Sequence, residues 1–449
     1  MIDAVVTGHS LPALQAALDL AEVGLRVTVA RDLEPDTEPI APVRDPDRVI
    51  AAFARRVAEP VEPGHAPLAG AELAIQPHRS PLLRSTAGAW LPQAEPNVLG
   101  VPAVPLAEAT LALLGGAAAA RAYLDRITPL LTVGKTRMFG TLVRKRLGKA
   151  ALRTLVEPQV FERYGVGAAE LEVAVAAPGF NETLSRSGAL TSAVLAYSDR
   201  NVARETTVQP AAGWQGLRDA LLKKLEWYGV TLLDAPIADA RWVEDRWVLR
   251  SGEQDAIEAR ALIADRGRRV ASSDLAYQQT SAVHPAAIRT YAQIDIERPE
   301  WLTDGEPAIA ALSGVTVTLC ARADETGSPR TWATLGAARQ AIAPTDDLAR
   351  CVRASEETLQ SHVSGALDQV NVRPLAGSQW QSETVAAPDI TIEARHGMIA
   401  QIDEGVAGQP MLVPAGELLH GGDLADALAW THRATVRLRR RLLGLDESE

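Results

Sequence analysis

The chain opens Ile2-Asp3-Ala4-Val5-Val6-Thr7-Gly8-His9-Ser10-Leu11-Pro12-Ala13, and after a helical-period segment ended by Gly24 it continues Leu25-Arg26-Val27-Thr28-Val29-Ala30. The first run is short, apolar and β-rich, Gly8-His9-Ser10 has the chemistry of a turn, and Leu11 to Val23 repeats its apolar residues at helical spacing. The order predicts strand, helix, strand. Neither strand alternates between apolar and polar residues, which predicts parallel strands covered on both faces, as in a doubly wound α/β sheet.

Outward from this unit the character changes. Pro35, Pro39, Pro42, Pro46, Pro60, Pro63 and Pro67 mark a connecting region, with one helix expected around Asp47 to Ala58. Leu106 to Leu131 reads as helix, Thr141 to Leu155 as a basic amphipathic helix, and further helical segments run to about Tyr197. Gly213-Trp214-Gln215-Gly216 starts a helix to Trp227, and Val230 to Leu233 reads as a strand. Ala238 to Val243 and Arg246 to Arg250 read as a hairpin turning on Glu244-Asp245, followed by an apolar strand at Ala261 to Ala264. Val-, Ile- and Thr-rich segments between 289 and 340 suggest a second, antiparallel sheet. A last strand, Pro410 to Val413, leads through Gly416 and Gly421-Gly422 into a helix from Leu424 to about Leu443.

Composition narrows the function classes. At 449 residues and roughly 150 residues per domain, the chain has length for about three folding units or two large interleaved ones. Lys and Arg number 45 against 56 Asp and Glu, a formal charge of -11, so the basic surface that a nucleic-acid binder needs is missing globally. Two cysteines, Cys320 and Cys351, fit a reducing cytoplasm and build no disulfide framework. No apolar window reaches membrane-spanning length, and Met1-Ile2-Asp3 lacks the basic start of a signal peptide.

The turn after the first strand occupies the G-x-G-x-x-G slot of a dinucleotide fold, where glycines let the backbone turn sharply and approach a pyrophosphate. Here the slot reads Gly8, Ser10 and Ala13. Ser10 stands at the second glycine, with its side chain expected to point toward the path of a pyrophosphate, and Pro12 falls in the first helical turn. The end of the second strand, where an acidic residue would meet the ribose, carries Arg31.

With these features the chain resembles the FAD-dependent amine-oxidase and protoporphyrinogen-oxidase family. Leu99-Gly100-Val101-Pro102, Val143 to Lys149, Leu155-Val156-Glu157-Pro158, Tyr164-Gly165 and Glu170-Leu171 look like the helical substrate region of protoporphyrinogen oxidases. Gly213 to Leu217 with Gly229 to Leu232 is similar to the helix and strand on the adenine side, where Ile237 falls at an adenine contact. Met411 to Glu417 and Gly421-Gly422-Asp423-Leu424 resemble the closing FAD motif. The family's second glycine pair has no counterpart, because residues 33 to 50 contain no glycine.

The resemblance implies an α/β chain with a Rossmann-like FAD-binding domain (1–75, 205–270 and 400–449) interleaved with a mixed α+β substrate domain that includes a helical subdomain (76–204 and 271–399). It implies FAD held around Gly8, Ser10, Leu11, Ala13, Arg31, Ile237, Gly416, Glu417, Gly422 and Leu424. The activity implied is an FAD-dependent oxidoreductase acting on a small, largely apolar or tetrapyrrole-like substrate. The alternative is a non-catalytic descendant without flavin, acting as a binding or partner protein. No nucleic-acid partner and no transmembrane segment are expected, only weak contact with a membrane surface.

Other chemistry is sparse. The eight histidines show no metal-ligand spacing, and no G-x-S-x-G elbow is present. His9 and His420 read as solvated turn residues, and Arg144, Lys145, Arg146 and Lys149 as a solvated face, like Arg437 to Arg441 at the chain end. Arg79 or Arg84 falls near the position of the family's substrate-carboxylate arginine.

Overall fold

The computed structural model describes the chain except residues 1, 32–37, 42, 46, 62–65, 77–79, 129–135, 202–206, 238, 252–255, 269, 271–284, 324–328, 344, 408, 410 and 446–449. Its first sheet contains β1 (Ile2–Thr7), β2 (Val27–Arg31), β3 (Thr231–Asp234), β4 (Asp239–Val243), β5 (Arg246–Arg250), β6 (Ile257–Asp265) and β7 (Leu412–Ala415). The order is β4-β5-β6-β1-β2-β3, with β7 also paired to β6. β1, β2, β3, β6 and β7 are mutually parallel where they pair, while β4-β5-β6 is an antiparallel meander. This is a Rossmann-like sheet with a hairpin extension.

Successive residues of β1 serve different cores. Ala4 and Val6 pack with α1 (Leu11–Ala21), α2 (Val49–Ala58), α3 (Gly213–Trp227) and α4 (Leu424–Leu442), whereas Val5 packs with Ala30, Ile237, Trp247 and Leu262 on the opposite face. That two-sided burial is why the sequence of β1 does not alternate. All eleven residues of α1 are buried, including Asp19, which is ion-paired to Arg56 at 2.6 Å and to His432 at 2.9 Å. A buried carboxylate needs such partners, and these two tie α1 to α2 and α4.

A second, eight-stranded sheet is built mainly from Ala287–Asp295, Pro329–Ala337 and Val315–Ala323, with Ala308–Ala311, Leu82–Arg84 and Trp90–Pro92 toward one edge. Gln381–Ala386 pairs with Ala287–Asp295 as well. The helix Leu348–Gln369 covers one face, and the segment from Glu108 to Asn201 forms a separate helical core that meets the sheet at Leu83 and Ile309. Among the described residues, no helix is long and apolar enough to cross a membrane.

Local chemistry accounts for the differences from the expected elements. The stretch expected as one helix from Leu106 is two, broken at Gly115 with φ of 79°, and the basic helix breaks at Gly148 with φ of 96° before a π turn at Leu152–Val156. Both glycines adopt backbone angles that other residues disfavour. The hairpin turn is as expected, with Glu244 and Asp245 both at positive φ, the geometry of a type I′ connection. The helices Leu348–Gln369 and Ile392–Ala407 and the pairing of Leu73–Gln76 with Thr207–Pro210 were not anticipated from the sequence.

Candidate functional site

The carboxyl ends of β1, β6 and β7 lie side by side, in register from Asp265 to Ala415 and from Val6 to Ile263. Gly8 leaves β1 at φ of 74°, and Ser10 caps α1, its Oγ accepting the Ala13 amide at 3.4 Å. The first turn of an 11-residue helix presents unsatisfied amides and the positive end of a dipole, so an anion is expected there. The anion present is Asp265.

The Ser10 amide donates to Asp265 Oδ2 at 2.8 Å, the Ser10 hydroxyl donates to Oδ1 at 2.6 Å, and the Gly267 amide donates to Oδ1 at 2.8 Å. Burial pushes the Asp265 carboxyl above the usual range, against the opposite pull of Ser10 and Gly267. Gly8 makes room for this arrangement, because a Cβ placed there would lie 2.7 Å from that of Asp265. The Ser10 side chain therefore points at the Asp265 carboxylate, which lies at the N-terminus of α1.

The closing motif meets the same cluster from β7. A Cβ at Gly416 would come within 2.8 Å of the Gly267 amide, and one at Gly422 within 2.7 Å of the Ala386 carbonyl oxygen. Glu417 accepts from Arg268 at 2.5 Å, and Arg268 also reaches Glu383 at 3.4 Å. Glu383 in turn accepts the Ile40 and Ala41 amides at 2.8 and 2.9 Å, joining the loop after β2 to the second sheet. Burial by itself would depress the Arg268 guanidinium, but Glu417 and Glu383 outweigh it and hold it above its ordinary range.

The remaining expected residues divide. Leu11, Ala13 and Leu424 are core residues packed between sheet and helices, and Ile237 packs with Val5 and Trp247. Arg31 pairs at 2.5 Å with Asp234, its register partner on β3. Arg79, one of the two arginines expected near a substrate carboxylate, lies outside the described residues. Arg84 donates to the Gln369 carbonyl at 2.8 Å. Arg146 is not on a solvated face: it is buried, paired to Asp125 at 2.6 Å and bonded to the Thr128 and Gly188 carbonyls. His420 is not a solvated turn residue either. Its ring lies 5.6 Å from that of Trp430, and burial lowers its pKa to about 4.

Asp265, Arg268 and Glu383 were missed as site residues. A sequence signal existed for the first, since Ala264-Asp265-Arg266-Gly267 closes an apolar strand with an acid beside a glycine. Its partner Ser10 lies 255 positions away.

The donor set tests whether a dinucleotide fits. Ser10 and Gly267 give their hydrogen bonds to a carboxylate of the chain, Glu417 is committed to Arg268, and the residue expected at the ribose is a cation already paired. Among the described residues no metal-ligating cluster occurs. The arrangement can hold the ends of three parallel strands together without a ligand, and in this conformation it does not fit an FAD pyrophosphate at the N-terminus of α1.

No protein-family model and no curated protein matches the sequence. Solved structures do match along the whole chain. A protoporphyrinogen-oxidase candidate from Exiguobacterium sp. 255-15 gives a TM-score of 0.69 at 16% identity, covering 97% of this chain and 99% of its own. Reduced UDP-galactopyranose mutase gives 0.59 at 11% identity, with 100% and 97% covered. Cyclohexylamine oxidase from Brevibacterium oxydans IH-35A gives 0.53 at 13% identity, with 98% and 99% covered. The chain thus has the fold of the FAD-dependent amine-oxidase and protoporphyrinogen-oxidase group.

Proposed function

We propose that this chain is a flavin-free descendant of that oxidase fold, acting as a binding protein for a small molecule or a protein partner. One observation carries the reading: Glu417, the acidic residue of the closing motif, is held by buried Arg268, which also touches Glu383. In the family that the chain resembles, the acidic residue of the closing motif meets the cofactor, whereas here Glu417 and Glu383 share the Arg268 guanidinium between the loop at Ile40-Ala41 and β7. Removing Arg268 would take away the cation that two buried carboxylates share, so the side chain is held in place by the fold. The two-unit division at 1–75, 205–270 and 400–449 against 76–204 and 271–399 is retained as part of this proposal.

The whole-length likeness to oxidases favours a second reading, an FAD-dependent oxidoreductase of the protoporphyrinogen-oxidase or amine-oxidase type acting on a largely apolar substrate. In such an enzyme the flavin carries the chemistry and the protein supplies position and electrostatics. The test is the visible spectrum of protein expressed in flavin-replete cells and purified without added cofactor. The first reading expects no flavin absorbance and no FAD in the supernatant after denaturation. Stoichiometric FAD would overturn it in favour of the second.

A further inference from the structure

We propose that Asp265 is a built-in substitute for a ligand phosphate, and that replacing this one carboxylate reopens the N-terminus of α1 to phosphate-bearing ligands. The inference deepens the flavin-free reading and rests on it. A helix N-terminus attracts an anion through its free amides and its dipole. In this chain the attraction is met internally, by a side chain from the end of the neighbouring parallel strand.

The match is close at each atom. Oδ2 takes the Ser10 amide, while Oδ1 takes both the Ser10 hydroxyl and the Gly267 amide, all between 2.6 and 2.8 Å. The Asp265 amide is itself fixed, donating to Thr7 Oγ1 at 3.1 Å. Gly8 provides the space, and its positive φ sets the turn. Ser10 and Asp265 therefore act as a pair: the hydroxyl that breaks the glycine pattern supplies the extra donor that the carboxylate uses. A negative carboxylate in this place repels a phosphate by like charge and fills the volume the phosphate would need.

The test uses the full chain with Asp265→Asn, which keeps the shape and removes the charge, and Asp265→Ser, which removes both. Melting temperatures are read in phosphate-free buffer, then with inorganic phosphate and with ADP, and ADP binding is measured by calorimetry. The expected result is that Asp265→Ser melts below wild type without ligand and recovers on adding phosphate or ADP, because a ligand that binds only the folded state stabilises it, while Asp265→Asn, which still fills the volume, responds less. ADP should bind Asp265→Ser at least about tenfold more tightly than it binds wild type.

Folded variants that respond to neither ligand would overturn this inference while leaving a colourless wild type consistent with the flavin-free reading. Wild type binding ADP as tightly as the variants would also overturn it. Stoichiometric FAD in purified wild type would overturn both. Should Asp265→Ser fail to fold, Asp265→Ala, which also removes both charge and volume, carries the same test.

Discussion

His420 and Asp423 flank the glycines of the closing motif and oppose each other in their response to pH. Burial lowers His420 to about 4 from an ordinary value near 6.5, so the unfolded chain takes up its proton first as pH falls. The stability associated with a neutral His420 is fully present above about pH 6.5 and is lost toward about pH 4, at about 1.4 kcal/mol per unit, or about 3 kcal/mol in all. Asp423 behaves oppositely: burial, and then Asp426, raise it to about 6 from 3.8. Its folded form takes up the proton first, so acidification across about the same window adds about 3 kcal/mol.

In wild type the two effects oppose each other between about pH 6 and about pH 4. His420→Gln should then gain up to about 3 kcal/mol relative to wild type as pH falls from about 7 to about 4, and Asp423→Asn should lose a similar amount. Asn preserves the cap, since the Asp423 side chain accepts the Asp426 amide at 2.9 Å and Asn is an equally good N-cap. The assay is urea unfolding at fixed ionic strength at three pH values across this window. Stability curves of both variants running parallel to wild type would refute the assignment of opposing titrations to this pair.

Two further predictions concern the frame around the site. Arg289, fully buried, donates to the carbonyls of Ala337 at 2.8 Å, Glu162 at 2.6 Å and Phe161 at 2.9 Å. Arg289→Met should destabilise by about 4 kcal/mol, read by urea unfolding, because buried acceptors left unpaired cost about 1 to 3 kcal/mol each; a loss below about 1 kcal/mol would contradict this accounting. Gly100, at φ of 88°, would place a Cβ 2.6 Å from the Leu155 carbonyl carbon. Gly100→Ala should therefore cost about 3 kcal/mol from overpacking and backbone strain together, measured as a fall in melting temperature.

The parts legible in the sequence were those whose physics is local. The β1-α1-β2 unit shows in continuous apolar runs around one glycine turn, the hairpin in Glu244-Asp245, and α4 in a glycine pair followed by an amphipathic stretch. The contacts that decide the site are not local. Glu383 meets Ile40 across 343 positions, and nothing near Ile40 announces an acid as its partner. Arg146 was misread for the same reason: a basic run on an amphipathic helix looks solvated until Asp125 is brought beneath it by tertiary packing. The helix Leu348–Gln369 escaped notice because much of its surface is polar, with Val352, Leu359, Val363 and Leu367 giving only a narrow buried stripe.

Departures from the family pattern at Ser10, Arg31 and the loop after β2 look in the sequence like three independent losses. In the structure each has an internal partner: Ser10 has Asp265, Arg31 has Asp234, and the Ile40 and Ala41 amides have Glu383. Had a binding site merely lost its ligand, it would leave donors buried and unpaired, at about 1 to 3 kcal/mol apiece. Here Ser10, Arg31 and the Ile40 and Ala41 amides have partners and Glu417 is paired with Arg268, while Arg268 Nε and Glu383 Oε2 stay buried without a hydrogen bond among the described residues. On the proposed flavin-free reading, the folded chain therefore gains little from placing a dinucleotide at these groups. A ligand would have to displace charge-assisted hydrogen bonds worth about 1.5 to 3 kcal/mol each before making its own. That competition, more than any single missing glycine, is what the proposed flavin-free reading rests on.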